Sequence, residues 1–146
     1  MGAKLMRPLL ILLALAGVVV SALALQVHYS HGTEPCSINS RWDCGIVNHS
    51  TYAEIEHIPV AAIGIAGYLL IGVLALAGRR GWLLIFSLIG LGFALNLSSI
   101  EEYVLQVWCL YCVISQGIIA LLTLLSLGWV IAGIVARRAR QRAHNS

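Results

Sequence analysis

Apolar stretches alternate with short polar segments along this chain of 146 residues. Four stretches are close to the roughly 20 residues that a helix needs to cross the hydrocarbon core of a bilayer. None of them contains a charged residue, which a spanning helix seldom tolerates. They cover residues 8–27, 59–77, 82–100 and 109–135. The pattern predicts an all-α fold, an integral membrane four-helix bundle that forms one domain over residues 1–146, with a long loop at 28–58 between the first two spans.

The first apolar stretch has a second interpretation, because Lys4 and Arg7 precede it as basic residues precede the core of a secretory signal peptide. The run from Leu9 to Leu25 is longer than the roughly 7 to 15 apolar residues of a signal core. We therefore expect this stretch to remain in the protein as a membrane span.

The basic residues follow a topological pattern. All except Arg41 lie before the first span, in the turn after the second or in the tail after the fourth, and four crossings place these segments on one side. The positive-inside rule makes that side cytoplasmic, together with both termini. All six acidic residues fall on the opposite side. Topology and anionic lipid explain the net charge of +3, so the lipid bilayer is an expected partner and nucleic acid is not.

Four cysteines fall on the outer side of the predicted bundle. Cys36 and Cys44 lie in the long loop, whereas Cys109 and Cys112 form a Trp-Cys-Leu-Tyr-Cys motif at the outer start of the fourth span. An oxidising outer compartment, such as a bacterial periplasm, favours disulfide chemistry.

Three interpretations of these cysteines remain open. They can be two redox pairs that relay electrons by thiol–disulfide exchange, two static disulfides in a non-catalytic membrane protein, or four ligands of a zinc ion. The seven residues between Cys36 and Cys44 exceed the usual two to four of zinc sites, so no metal is expected. Static disulfides explain poorly why one pair lies at the edge of an apolar span, and the redox interpretation is favoured.

Polar residues extend the second cysteine pair into the membrane. Cys109 is at a helix start, where backbone N–H groups and the helix dipole stabilise a thiolate. Cys112 is one turn deeper, and Ser115 and Gln116 share its helix face. A polar face inside lipid must find a partner or line a cavity. The two carbonyl groups of a quinone ring are suitable partners, and an interhelical hydrogen bond is the alternative for Gln116.

Other polar residues offer weaker indications. Glu101 and Glu102 precede the Cys109 motif, and their charges would oppose a thiolate there if they lie close. Asn96 in the third span could face a quinone ring or bond a neighbouring helix. His57 could serve a proton step, although an ordinary surface histidine is the simpler interpretation.

These residues together resemble the vitamin K epoxide reductase family, which includes bacterial homologues that oxidise DsbA-like periplasmic proteins. The resemblance extends over nearly the whole chain. The residues that carry it are Cys36, Cys44, the stretch Ser50-Thr51-Tyr52-Ala53-Glu54-Ile55, the stretch Ile58-Pro59-Val60-Ala61, Gly64, Gly67-Tyr68 and Trp108-Cys109-Leu110-Tyr111-Cys112.

The resemblance implies a role for each cysteine. Cys109 and Cys112 would form the active-site pair, with Cys112 nearest the quinone and Cys109 exchanging with a loop cysteine. Cys36 and Cys44 would shuttle electrons from the partner protein.

Three further positions follow from the same resemblance. Ser50 matches a serine of the family's loop, and Gln116 falls where vertebrate members carry a tyrosine near the quinone. His57 replaces a glycine that bacterial members commonly carry before Ile-Pro.

The expected function is that of a membrane thiol–disulfide oxidoreductase of the bacterial inner membrane, with its cysteines in the periplasm. It would pass electrons from a separate thioredoxin-fold, DsbA-like protein to a quinone of the ubiquinone, menaquinone or vitamin K type, and so support disulfide-bond formation. Reduction of vitamin K epoxide is an alternative within the same chemistry, and a non-catalytic protein with structural disulfides is an alternative from another class.

Overall fold

The structure, a computed structural model, describes residues 2–29, 42–43, 54–55 and 57–146. Four long helices account for most of these residues. Each helix is long and apolar enough to cross a membrane. The helices are α1 (Gly2–Tyr29), α2 (Val60–Ala77), α3 (Arg80–Ile100) and α4 (Leu110–Asn145), and a π-helical turn (Glu101–Leu105) continues α3. The predicted all-α membrane bundle of four helices is confirmed.

Two of the helices are longer than the predicted spans. α1 begins at Gly2 rather than near residue 8 and contains Pro8, whose missing N–H removes one backbone hydrogen bond close to the helix start. α4 continues to Asn145 instead of ending near Val135. Alanine, arginine and glutamine are good helix formers, so the basic tail extends the helix without interruption.

The helices pack as neighbours that run up and down. α1 packs on both α2 and α4, and α3 packs on α4, whereas α2 and α3 touch each other less. The residues of the main core are Leu10, Ala14, Tyr68, Ile71, Ala75, Leu83, Ile118, Ile119, Leu122 and Trp129. Many large apolar side chains face outward, as expected where lipid replaces water around the bundle.

Small residues bring α1 and α2 close together. The Tyr68 ring of α2 lies directly over Gly17 of α1, so closely that a Cβ at Gly17 would overlap it. One turn further along α1, a Cβ added to Gly64 of α2 would lie 2.9 Å from the hydroxyl oxygen of Ser21. Small residues at a membrane helix interface allow such close approach of the backbones, and here they fix the position of a buried tyrosine.

The turn between α2 and α3 is tight. Gly78 ends α2 in the left-handed region at φ 71. Its N–H donates to the carbonyl of Ala75 at 3.2 Å, and the N–H of Arg79 donates to Leu74 at 3.0 Å. This is the Schellman pattern of helix termination, in which glycine is favoured because it has no Cβ.

Short β pairings lie at the outer end of the bundle. Glu54–Ile55 (β1) pairs antiparallel with Ile58–Pro59 (β2). His57, in the turn between them, has φ 70, a left-handed conformation that favours glycine. The resemblance indicated glycine at this position, and the backbone gives a physical reason for that preference.

Replacement of Gly17 by alanine tests the contact with Tyr68. The added methyl group would force the ring aside, and overpacking of this kind costs about 1 to 3 kcal/mol of stability. We expect Gly17→Ala to unfold at lower temperature than the wild type in detergent. Gly92→Ala is the matched control, because apart from the neighbouring backbone of its own helix no described atom lies within 4 Å of a Cβ added there. Equal stability of the two variants would contradict the packing described.

Candidate active site

The second cysteine pair lies where α4 begins. Gln106, at φ 55, ends the π-helical turn in a left-handed conformation, and the chain then reaches Cys109, the N-cap residue of α4 with φ −102 and ψ 121. Cys109 is fully buried. Cys112 lies in the first turn of α4, and its thiol hydrogen-bonds the sulfur of Cys109. The two side chains therefore face each other at the helix start, where N–H groups lack partners within the helix.

The surroundings of Cys109 favour its thiolate. The hydrogen bond from the Cys112 thiol is the largest influence on the pKa of Cys109 and lowers it below the ordinary value of a cysteine. Burial and the charge of Glu101 both raise this pKa, but the net shift is downward. The opposing effect expected of Glu101 is thus present and outweighed. A thiolate is the attacking species in disulfide exchange.

Glu101 and Glu102 are adjacent in sequence but lie in different environments. Glu102 is exposed and accepts a hydrogen bond from the indole N–H of Trp108 at 3.1 Å. Glu101 is only 2 % exposed, and its Oε2 accepts a hydrogen bond from the backbone N–H of Cys109 at 3.4 Å. The thiol of Cys112 has a single proton, which it can donate either to this carboxyl group or to the sulfur of Cys109. Sequence reasoning considered Glu101 only as a nearby charge and missed it as part of the site.

A cavity of about 310 Å³ lies inside the bundle, and Cys112 is one of its lining residues. Its wall is mostly apolar and includes the rings of Phe86, Phe93 and Tyr111. Its polar lining residues are few: Ser21, Tyr68, Ser98, Glu101, Tyr111 and Ser115. An apolar cavity of a few hundred Å³ with a small number of converging polar groups is typical of a small-molecule site.

Tyr68 and Ser115 form the main polar contact between α2 and α4 at the cavity. The Tyr68 hydroxyl donates to the carbonyl oxygen of Ser115 at 2.8 Å and lies 2.7 Å from the Ser115 hydroxyl. Ser115 was predicted as a site residue and lines the cavity, whereas Tyr68 was not selected. Its position in the Gly67-Tyr68 motif, in the middle of an apolar span, was the available signal.

Gln116 has a different position from the one expected for a quinone ligand. Its Oε1 accepts a hydrogen bond from the hydroxyl of Ser98 on α3, and Gln116 is not among the cavity-lining residues. The interhelical bond, which was the alternative considered for Gln116, is therefore the one formed. Each residue turns a helix by about 100°, so Gln116 points to α3 while Ser115 points to α2.

Asn96 and His57 also lie away from the cavity. Asn96 is exposed on the face of α3 that points away from the bundle. The cavity-lining residues of this helix, among them Phe93, Leu97 and Ser98, lie on a different face. Asn96 therefore does not occupy the ring-facing position that the sequence suggested. His57 is exposed in its turn and does not line the cavity.

The remaining predicted residues lie outside the described part of the chain. These are Cys36, Cys44 and Ser50, and their roles stay predictions. Within residues 2–29, 42–43, 54–55 and 57–146, no group of three or more His, Cys, Asp or Glu side chains is placed to hold a metal ion. The zinc interpretation required the loop cysteines, so this observation does not test it.

The fold and the site together define a class of protein. Four helices long and apolar enough to span a membrane line an apolar cavity, and the Cys-x-x-Cys pair at its edge combines a cysteine whose pKa is lowered with a second sulfur at the cavity wall. This is the arrangement of a membrane oxidoreductase with a dithiol centre. The model of the vitamin K epoxide reductase family matches residues 8–127. The chain belongs to the vitamin K epoxide reductase family, whose members are oxidoreductases generally linked to quinones.

Removal of the Cys112 hydrogen bond tests the origin of the Cys109 thiolate. In a background with Cys36 and Cys44 replaced by alanine, Cys112→Ala should raise the pKa of Cys109, because the group that lowers it most is lost. At a fixed pH below that pKa, less thiolate then forms. The ultraviolet absorbance of the thiolate, followed against pH, gives the midpoint directly. Cys112→Ser keeps a donor and should shift the midpoint less; equal midpoints in all three proteins would contradict the assignment.

Proposed function

We propose that this protein is a membrane thiol–disulfide oxidoreductase that passes electrons from a periplasmic thioredoxin-fold, DsbA-like protein to a quinone. Electrons enter through Cys36 and Cys44 and reach the quinone through Cys109 and Cys112, which supports disulfide-bond formation in the partner's substrates. The observation that carries this proposal is the position of Cys112, which hydrogen-bonds Cys109 on one side and lines the apolar cavity on the other.

The cavity has the chemical properties that a quinone ring requires. Its wall is apolar and partly aromatic, and a quinone needs hydrogen-bond donors only at its two carbonyl oxygens. Tyr68 and Ser115 share two hydroxyl protons between three oxygen acceptors, so one proton can turn toward a ligand without breaking every bond of the pair. When bound there, a quinone supplies the capacity to accept two electrons and two protons. The residues present fit such a ligand.

A lipid-soluble ligand also needs a path from the bilayer. α2 and α3 both contribute cavity-lining residues, and they contact each other less than the other neighbouring helices do. The face between them is covered by apolar side chains rather than charges, among them Ile63, Leu70 and Ile89. Entry between α2 and α3 would let the ring reach Cys112 without crossing water.

The described part of the loop supports exchange between Cys44 and Cys109. The backbone N–H of Asp43 donates to the carbonyl of Trp108 at 2.9 Å, and the rings of Trp42 and Trp108 lie 6.3 Å apart between centroids. Cys44 follows Asp43 in the chain, and Cys109 follows Trp108. The hydrogen bond between the Asp43 and Trp108 backbones thus joins two positions that each directly precede a cysteine. This favours Cys44 as the loop residue that exchanges with the active-site pair.

The proposed reaction is a series of balanced exchanges. A thiolate of the partner attacks the Cys36–Cys44 disulfide, and the partner leaves with its own disulfide formed. The Cys44 thiolate then attacks Cys109 in the Cys109–Cys112 disulfide, and Cys36 resolves the mixed bond and leaves the inner pair reduced. Reoxidation of Cys109 and Cys112 to a disulfide delivers two electrons to the quinone. Each exchange conserves one disulfide, so the quinone potential determines the overall direction.

The charge distribution supports a periplasmic location for this site. Arg80, at the start of α3, lies 4.6 Å from the ring of Trp129 and donates to its carbonyl oxygen at 3.2 Å. Arginine and tryptophan in this arrangement are typical of a membrane interface. We place this end in the cytoplasm of a bacterial inner membrane, with both termini, and the cysteine end in the periplasm.

Turnover by the purified protein tests the proposed function. Reduced DsbA-like protein and a soluble ubiquinone or menaquinone analogue are mixed with the protein in detergent, and quinone reduction is followed by absorbance. We expect steady turnover by the wild type and none after Cys36→Ala, Cys44→Ala, Cys109→Ala or Cys112→Ala. Cys112→Ala should instead trap Cys109 in a mixed disulfide with Cys44, detectable by mass spectrometry.

The control for this experiment is Ser99→Ala. The Ser99 side chain is exposed and donates to the carbonyl of Leu95 in its own helix at 3.1 Å, so its removal should leave turnover unchanged. Full turnover after Cys112→Ala, or none by the wild type with an intact partner and either quinone, would contradict the relay.

A further inference from the structure

Glu101 is a buried carboxyl group that the exchange of electrons between sulfurs does not use. It is 2 % exposed and lies at the outer end of the third span. A carboxyl group removed from water at this depth is costly unless it has a partner or a function. Its neighbour Glu102 is exposed, so an acidic residue at the end of α3 does not have to be buried.

The contacts of Glu101 connect three parts of the site. Its Oε2 accepts a hydrogen bond from the Cys109 backbone N–H at 3.4 Å, and the Cys112 thiol is within hydrogen-bond reach of the same carboxyl group. Glu101 is also a lining residue of the cavity, together with Tyr68 and Ser115. The carboxyl group thus lies between the sulfur that is oxidised and the space in which the proposed quinone would bind.

The backbone places Glu101 in this position. Glu101 is the first residue of the π-helical turn that follows α3, and its side chain points into the bundle while that of Glu102 points out. Single π-helical turns are rare in proteins and are frequently found at functional sites. Here the turn brings Glu101 to Cys109, although eight residues of chain separate them.

No cation accounts for the buried carboxyl group within the described residues. Among the side chains that the structure describes, every lysine and arginine lies toward the opposite end of the bundle, and His57 at the outer end is exposed. The titratable groups near Glu101 are the thiols of Cys109 and Cys112, and Tyr68 and Tyr111, which line the same cavity. Among the side chains of α1 that the structure describes, none that lines this cavity is titratable. Among the described residues, no structural ion pair therefore stabilises the buried Glu101.

We propose that Glu101 is the proton carrier between Cys112 and the quinone. The proposal rests on the proposed function, since it concerns the quinone-reducing step. A carboxyl group that lies within hydrogen-bond reach of both a proton donor and a proton acceptor is suited to general acid–base catalysis.

The proton transfer balances the reoxidation of the cysteine pair. As the bond between the Cys109 and Cys112 sulfurs forms, two electrons leave for the quinone and the Cys112 proton passes to the Glu101 carboxylate. Glu101 then gives this proton to a quinone oxygen and returns to its starting state. Cys109 leaves the preceding disulfide exchange as a thiolate without a proton, so the second proton of the quinol comes from the outer aqueous phase.

The test separates the exchange step from the quinone step. Glu101→Gln keeps the size of the side chain and an acceptor for the Cys109 N–H but cannot carry a proton. In a single turnover without quinone, the variant should oxidise the reduced DsbA-like partner at a rate within about 3-fold of the wild type, because sulfur exchange does not need the carrier. With quinone present, kcat should fall by about 100-fold or more, the usual range for loss of a general acid–base group, with little change in the KM for quinone.

Two further variants exclude a merely structural effect. Glu101→Asp keeps a carboxyl group and should restore a large part of kcat together with the wild-type pH profile, whereas the Glu101→Gln profile should lose one ionisation. Glu102→Gln, which keeps an acceptor for the Trp108 indole, should behave as the wild type in both measurements.

Three results would overturn the proposal. In the first, Glu101→Gln reduces quinone within about 3-fold of the wild-type rate and with the same pH profile. In the second, that variant slows the exchange step and the quinone step equally. In the third, Glu101→Asp restores neither kcat nor the pH profile. If the wild type itself exchanges with the partner but reduces no quinone, the proposed function fails, and the role of Glu101 fails with it. That outcome is distinguishable because it appears before any substitution at Glu101.

Discussion

The constraint on which this structure depends is that a polar group at membrane depth is costly unless it bonds a partner or lines a cavity. Ser87 Oγ and Trp129 Nε1, which are buried without a hydrogen-bond partner among the described residues, and the exposed Asn96 do not meet it, whereas other polar groups do. Thr123 meets it by donating to the carbonyl of Ile119 in its own helix at 2.8 Å. Tyr68 meets it through Ser115, and Gln116 through Ser98. These bonds tie α2 and α3 to α4 around the cavity. The polar groups that hold the helices together are thus the ones that give the cavity its few hydrogen-bonding positions.

The same constraint divides the two sulfurs between two environments. Cys109 lies at the N-terminal end of α4, where backbone N–H groups and a hydrogen bond from Cys112 stabilise negative charge, and its pKa is lowered. Cys112, one turn deeper, contributes to the wall of an apolar cavity. One residue is therefore suited to exchange with thiols and the other to a lipid-soluble acceptor. A spacing of one helical turn is enough to connect aqueous redox chemistry with membrane redox chemistry.

The parts of this arrangement that sequence predicts are those set by local pattern. Hydrophobic length gives the four helices, and the Cys-x-x-Cys motif before an apolar run places Cys109 at a helix start. The positions of Asn96 and Gln116 depended on helix rotation within the bundle, which a strongly apolar helix does not reveal, because almost every face of it is equally hydrophobic. Glu101 and Tyr68 were missed for related reasons: the first is turned inward by a π-helical turn, and the second is fixed by Gly17 on another helix.

The central claim is that Cys112 faces the site at which a quinone is reduced. A photoreactive azidoquinone, bound to the protein in nanodiscs and cross-linked by light, tests this directly when the labelled peptides are identified by mass spectrometry. The account predicts that labels concentrate on cavity residues such as Phe93, Leu97 and Tyr111 and decrease when excess unlabelled quinone competes. Labels confined to lipid-facing residues such as Leu95 and Asn96, and unaffected by that competitor, would contradict it.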